Sequence, residues 1–260
     1  MEPFKGSLIG KRALVCGGSQ GIGRASAMAL HRAGCQVTLL GRSPGALQEV
    51  CALWEVAPDL PYVVCDLSDP ISVEKTLTKL PPTYDIFLAN SSGPSPGLLQ
   101  SANDLELNRA FYQHTVAPLK FLQHFMDHMK SQRFGRIINI ISTSVKIPIA
   151  GLGVSNTVRG SAASAAKTLA QELGLYGITV NNVLPGFTQT QRLQQIIENQ
   201  SQKQKKDPSQ IERDMLAEVP AKRFASPEEI AHAVCFLASP FASYINGINL
   251  PVDGGRTGCL

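Results

Sequence analysis

Six cysteines at positions 16, 35, 51, 65, 235 and 259 contain no Cys-x-x-Cys pair, the spacing that zinc and dithiol sites commonly use. That gap excludes the usual zinc and dithiol arrangements, and no metal is expected. Cys16, Cys35 and Cys65 lie in or beside apolar runs, where a free thiol behaves as a small hydrophobe. No stretch approaches the roughly 20 apolar residues of a membrane span. Residues 1–10 lack an apolar signal core with a cleavage site. The expectation is a cytoplasmic protein with reduced thiols and no membrane partner. Charge is also sparse: 24 Lys and Arg against 20 Asp and Glu give a net +4, too small and too dispersed for a nucleic-acid surface. The one dense cluster, Lys203-Gln204-Lys205-Lys206, falls in a very polar stretch and reads as a solvated segment.

What is present is an ordinary globular composition, 43% hydrophobic and 17% charged, in a length that suits one α/β domain over residues 1–260. Short apolar runs alternate with longer helical patterns from end to end. Such alternation predicts a parallel sheet with crossover helices. Strands are expected at 12–16, 36–40, 62–65, 85–89, 136–141, 179–184 and 248–252, a doubly wound seven-stranded sheet of the Rossmann type. Residues 103–130 read as one long helix that Pro118 is able to kink, and a second long helix is expected over 154–174. The small residues Ala162-Ala163-Ser164-Ala165-Ala166 admit two readings, close approach of another subunit's helix or simple packing on the sheet. Residues 189–218 turn polar, with Asp207-Pro208 dividing two short helices. Such an excursion at the carboxyl edge of the sheet is either a lid or surface decoration.

The run Cys16-Gly17-Gly18-Ser19-Gln20-Gly21-Ile22-Gly23 follows an apolar strand and opens a helix. Glycines allow a tight turn and close backbone approach to a pyrophosphate, and the free N–H groups at the helix start meet its charge. A dinucleotide cradle is expected, with Gly17, Ser19, Gln20, Gly21, Ile22 and Gly23 as contacts. The next strand ends Leu40-Gly41-Arg42-Ser43, without the carboxylate that pairs with the adenine ribose of NAD. Arg42 offers its planar fork to an extra phosphate, which favours NADP(H). Gln20 stands where NADP-using relatives are often basic.

The spacing Gly-x-x-x-Gly-x-Gly resembles that of the short-chain dehydrogenase/reductase family, with Cys16 in place of its usual threonine. Other segments extend the resemblance over about residues 7–256. Cys65-Asp66-Leu67 resembles the adenine contact. Ala89-Asn90-Ser91-Ser92-Gly93 is a diverged Asn-Asn-Ala-Gly motif, and Pro185-Gly186-Phe187-Thr188-Gln189-Thr190 resembles the loop that holds the nicotinamide carboxamide. The subgroup most similar is that of the 3-oxoacyl-acyl-carrier-protein reductases, including divergent members reading Ser-Asn-x-x-Arg. The resemblance implies a carbonyl or acyl-thioester substrate and a homodimer or homotetramer built through the two long helices. Asp66, Leu67, Asn90, Pro185, Gly186, Thr188 and Thr190 become expected cofactor contacts.

The active-site stretch departs from the family pattern. A serine is expected thirteen residues before a Tyr-x-x-x-Lys pair; Ser142 is kept, tyrosine reads Ser155 and lysine reads Arg159. Positions i and i+4 share a helix face, so Ser155 and Arg159 should point together. An aliphatic hydroxyl is nevertheless a far weaker acid than a phenol, and a guanidinium binds ribose hydroxyls without passing protons. Ser142 keeps the position that polarises a carbonyl. The family's fourth position, an asparagine that orders a water, corresponds to His114, the one group of the four whose ordinary pKa lies near 7. Two functions are therefore open: a reductase in which water or His114 supplies the proton, or an NADP(H)-binding protein without turnover that regulates a partner.

Overall fold

The computed structural model describes residues 4–54 and 58–259. The first half comprises β1 (Arg12–Cys16), α1 (Gly21–Arg32), β2 (Gln36–Gly41), α2 (Pro44–Cys51), β3 (Tyr62–Val64), α3 (Pro70–Leu77) and β4 (Ile86–Ala89). Then come α4 (Asp104–Phe111), α5 (Ala117–Gln132), β5 (Gly135–Ile140), α6 (Gly153–Leu173) and β6 (Ile178–Pro185). The chain continues through α7 (Gln191–Gln204), α8 (Pro208–Ala217), α9 (Pro227–Ala238) and β7 (Asn249–Val252). The seven strands form one sheet, ordered β3-β2-β1-β4-β5-β6-β7, with every pairing parallel.

Alternation along each strand feeds two apolar layers. Ala13 and Val15 of β1 face one way with Val37 and Leu39 of β2, beneath α1, α2 and α9. Leu14 and Cys16 face the other way with Leu40, against Phe121, Phe125 and Met129 of α5 and Ala166, Ala170 and Leu173 of α6. Both faces are covered, which is why the strands read as short apolar runs rather than alternating ones. The alanines of α6 accordingly pack on the sheet at Ala162, Ala166 and Ala170, while Ser164 is exposed.

The chain reverses direction across the sheet between β3 and β4, so β1 and β4 are neighbours whose following loops diverge. A crevice opens there at the carboxyl ends of the strands. The expected single helix over 103–130 is divided instead by a π-helical turn at Tyr112–Val116, one residue ahead of α5. Pro118 has no N–H with which to bond the carbonyl four residues back, and the wider turn takes up that break. Among the described residues no helix is long and apolar enough to cross a membrane.

Candidate active site

Left-handed backbone at Gly17 (φ +62°) and Gly21 (φ +53°) folds the loop after β1. Gly23 is sterically fixed: a Cβ there would lie 2.0 Å from the Gly17 carbonyl oxygen. Asn90 closes the loop from β4, its Nδ2 donating to the Cys16 carbonyl at 3.2 Å. Gln20, at the N-cap of α1, supplies no side-chain cap, and the first turn carries no acid. The leading amides of α1 are therefore left for an anion, the chemistry a pyrophosphate needs.

From this loop a cleft of about 930 Å³ runs along the strand ends. Gly17, Ser19, Gln20, Gly21, Ile22, Arg42, Asp66, Leu67, Asn90, Pro185, Gly186, Thr188 and Thr190 all line it. Gly23 lies behind the wall, against the Gly17 backbone. At one end exposed Arg42 stands near Asp66. Burial raises the Asp66 carboxyl, but hydrogen bonds from Ser68 and the charges of Arg42 and Arg109 bring it below its ordinary value. Thr190 caps α7 through the Leu193 amide, and its methyl lies against Gly21, where a Cβ would be 3.1 Å away.

At the other end the same cleft collects Ser142, Ser155 and Arg159. Ser142 follows β5; its Oγ accepts from the Ser144 amide at 3.0 Å, which leaves its own O–H to donate. Ser155 stands in the first turn of α6. Asn156 pins the preceding loop, donating from Nδ2 to the Ile149 carbonyl at 2.9 Å and accepting from the Ile149 amide at 3.3 Å. Arg159, one turn on, is 7% exposed and donates from Nη1 to the Ile140 carbonyl at 2.6 Å. Its Nε is buried with no partner. Burial, then the charge of Arg192, lowers its pKa to about 10, so it stays cationic at neutral pH.

His114 does not line the main cleft. It borders an adjoining cavity of about 20 Å³, enough for one water molecule, together with Asn139, Ile140 and Arg159. Its Nδ1 shares a hydrogen bond with Ser91 Oγ at 3.0 Å, and its Nε2 is buried without a partner. Burial, then the Arg159 charge, drives its pKa down to about 2. The ordinary value suggests an acid working near pH 7; the site instead holds a neutral imidazole.

Among the described residues no tyrosine and no lysine lines the cleft. The family's acid and its ammonium thus have no substitute of their own kind brought in from elsewhere among the described residues. Arg192, which no motif singled out, is the second residue of α7, lines the cleft and donates from Nη2 to the Pro94 carbonyl at 3.1 Å. Its signal was a cation two residues after the Thr188-Gln189-Thr190 loop. Ser91 and Asn156 were equally unassigned, both lying inside motifs whose other members drew the attention. The segment over 189–218 is a wall of the site: α7 lines the cleft at Leu193 and Ile196, and Leu193, Ile211 and Met215 form an apolar cluster with Phe224 beyond it.

Residues 17–257 match the model of the family described as Enoyl-(Acyl carrier protein) reductase. The NADPH-dependent reductase BacG of Bacillus subtilis (strain 168) is 31% identical over 251 residues, covering 94% of this chain and 97% of that protein. The 3-oxoacyl-[acyl-carrier-protein] reductase FabG of Escherichia coli (strain K12) is 32% identical over 249 residues, covering 95% and 97%. Among solved structures, YwfH, an NADPH-dependent reductase involved in bacilysin biosynthesis, superposes with a TM-score of 0.89 at 30% identity, covering 96% of this chain and 99% of that one. L-sorbose reductase from Gluconobacter frateurii, complexed with NADPH and L-sorbose, gives 0.89 at 26% identity, covering 97% and 98%. With its glycine cradle, parallel sheet and serine-bearing cleft, the chain belongs to the short-chain dehydrogenase/reductase family.

Proposed function

We propose that this protein is an NADP(H)-dependent oxidoreductase that reduces a carbonyl or, better suited to its residues, a carbon–carbon double bond conjugated to one. The observation that carries this reading is a buried guanidinium, Arg159, gathered with two hydroxyls, Ser142 and Ser155, at the end of a cleft that begins at a dinucleotide cradle. The NADPH-dependent relatives support the cofactor assignment.

Gly17, Ser19, Gln20, Gly21, Ile22 and Gly23 would hold the pyrophosphate, Arg42 the extra phosphate, and Asp66 and Leu67 the adenine. Asn90 steadies the cradle, while Pro185, Gly186, Thr188 and Thr190 would hold the carboxamide. The bound cofactor supplies hydride. Ser142 and Ser155 donate to the substrate oxygen, and Arg159 places fixed positive charge beside it. An alkoxide formed by carbonyl reduction needs a proton as it forms, and no phenol is at hand to give one. An enolate oxygen is a weaker base, so charge and hydrogen bonds hold it until water protonates carbon. Neutral His114 and Arg159 flank the small cavity, where they can orient that water. The segment over 189–218 would close over the substrate. Exposed Leu105, Phe111 and Leu119 on α4 and α5 suit a homodimer or homotetramer.

Absence of tyrosine and lysine from the cleft also favours a second reading, a binding protein without turnover. Nicotinamide fluorescence measures binding, and loss of its absorbance over ketones, 3-oxoacyl thioesters, enoyl thioesters and enones measures reduction. Faster oxidation of enones than of isolated ketones supports the first reading. Tight binding with every substrate inert, free acids included, establishes the second.

A further inference from the structure

Among the described residues, the substrate end of the cleft holds two arginines and no carboxylate. Arg159 and Arg192 both line it, and Arg192 is close enough to depress the Arg159 pKa. Each is held by a backbone carbonyl, Ile140 for one and Pro94 for the other, and neither makes an ion pair among the described residues. The acids in the cleft lining, Asp66 and Glu228, belong to other parts of it: Asp66 answers Arg42 and Arg109, and Glu228 opens α9. Among the described residues no acid neutralises the pair, of which Arg159 is buried and Arg192 exposed at the mouth of the cleft.

A buried cation without a counter-charge costs several kcal/mol, and a second cation facing it adds to that cost. The buried and unpartnered Nε of Arg159 deepens it. Such an arrangement persists where a ligand completes it. The cradle amides already meet the pyrophosphate and Arg42 the distal phosphate, so the cofactor's phosphates have their own partners. A nicotinamide ribose, which is neutral, does not discharge two guanidinium groups.

We infer that the substrate carries a free carboxylate, received by Arg192 at the cleft mouth, with its reacting carbonyl directed to Arg159, Ser142 and Ser155. This inference rests on the reductase reading and narrows it to oxo or enone acids in place of acyl chains esterified to a carrier. An Arg fork matches a carboxylate bidentately, whereas a thioester or methyl ester offers it no charge.

The test compares matched acids and methyl esters, 2-oxopentanoate and 4-oxopent-2-enoate with their esters, on the full-length protein. With NADPH the acids are expected to exceed their esters in kcat/KM by about 100-fold, the scale of an unpaired charged contact. Arg192→Gln should erase that preference through KM and leave NADPH affinity unchanged; Arg192→Lys should restore part of it. In parallel, binding of each probe to the NADP⁺ complex is measured without turnover. Acids that bind no better than esters overturn the inference, whether or not NADPH is oxidised. A loss of NADPH affinity in Arg192→Gln, with acid preference intact, also overturns it by assigning Arg192 to the cofactor. Ester turnover without acid preference leaves the reductase reading standing, and acid binding without any turnover removes that reading alone.

Discussion

Arg159 on α6 donates from Nη1 to the Ile140 carbonyl at the end of β5, 2.6 Å away, and thereby anchors the helix that carries Ser155 to the strand that precedes Ser142. The anchor is also a buried charge with no acidic partner. Replacing such a charge by an apolar group of similar volume is often neutral or stabilising. Arg159→Met is therefore expected to lower kcat/KM by about 100- to 1000-fold, the effect of removing one donor aimed at developing negative charge. Thermal melting should hold or rise. A large fall in both activity and melting temperature would make Arg159 a structural residue.

Ser155→Tyr supplies the missing phenol and should still raise carbonyl reduction by less than about threefold. Arg159, with a pKa near 10 and buried against β5, keeps its proton where the family's lysine exchanges one. Initial rates of NADPH oxidation on a ketone panel decide this. A gain of an order of magnitude from the single substitution would show that the phenol alone was lacking.

Gly23→Ala places a methyl group 2.0 Å from the Gly17 carbonyl oxygen, so the cradle must deform. NADPH affinity should fall by more than about tenfold, because the amides of α1 no longer converge on the pyrophosphate. Nicotinamide fluorescence titration measures it. Unchanged affinity would place the pyrophosphate elsewhere.

The strands and the cradle were legible because their signals are local. Periodicity sets the two faces of β1, and the Gly17–Gly23 spacing is a backbone requirement that any reading of the chain meets. Two features of the site were not legible, for a shared reason. Burial of His114 beside Arg159 moves its titration out of the physiological range, and the approach of Arg192 to Arg159 joins residues 33 positions apart. Each depends on which charge comes near which, a property of the folded chain. The π-helical turn at Tyr112–Val116 belongs with them, since Pro118 announces a break but not its form.

On the function proposed above, Arg42 would meet the extra phosphate. Arg42→Ala should weaken NADPH by about 10- to 100-fold, the worth of a charge-assisted contact, and leave NADH unchanged. Paired titrations of the two cofactors check it. Equal losses for both would place Arg42 on a part of the nucleotide they share.

His114 gives the native state a pH dependence whose sign is fixed by its environment. In the folded chain its pKa is about 2, held down by burial and by Arg159, against an ordinary 6.5. Between those values the unfolded chain binds a proton that the folded chain refuses, so stability is full above about pH 6.5 and declines as the pH falls. The ceiling on that loss from pH 7 to pH 5 is about 2 kcal/mol for one group. Every other titrating group remains in a variant altered only at position 114. Urea unfolding of His114→Asn at both pH values should therefore show a shallower loss than the parent. Asparagine also keeps a hydrogen-bonding group for Ser91 and for the small cavity. Parallel slopes for the two proteins would mean that His114 titrates alike folded and unfolded, and that the Arg159 charge does not reach it.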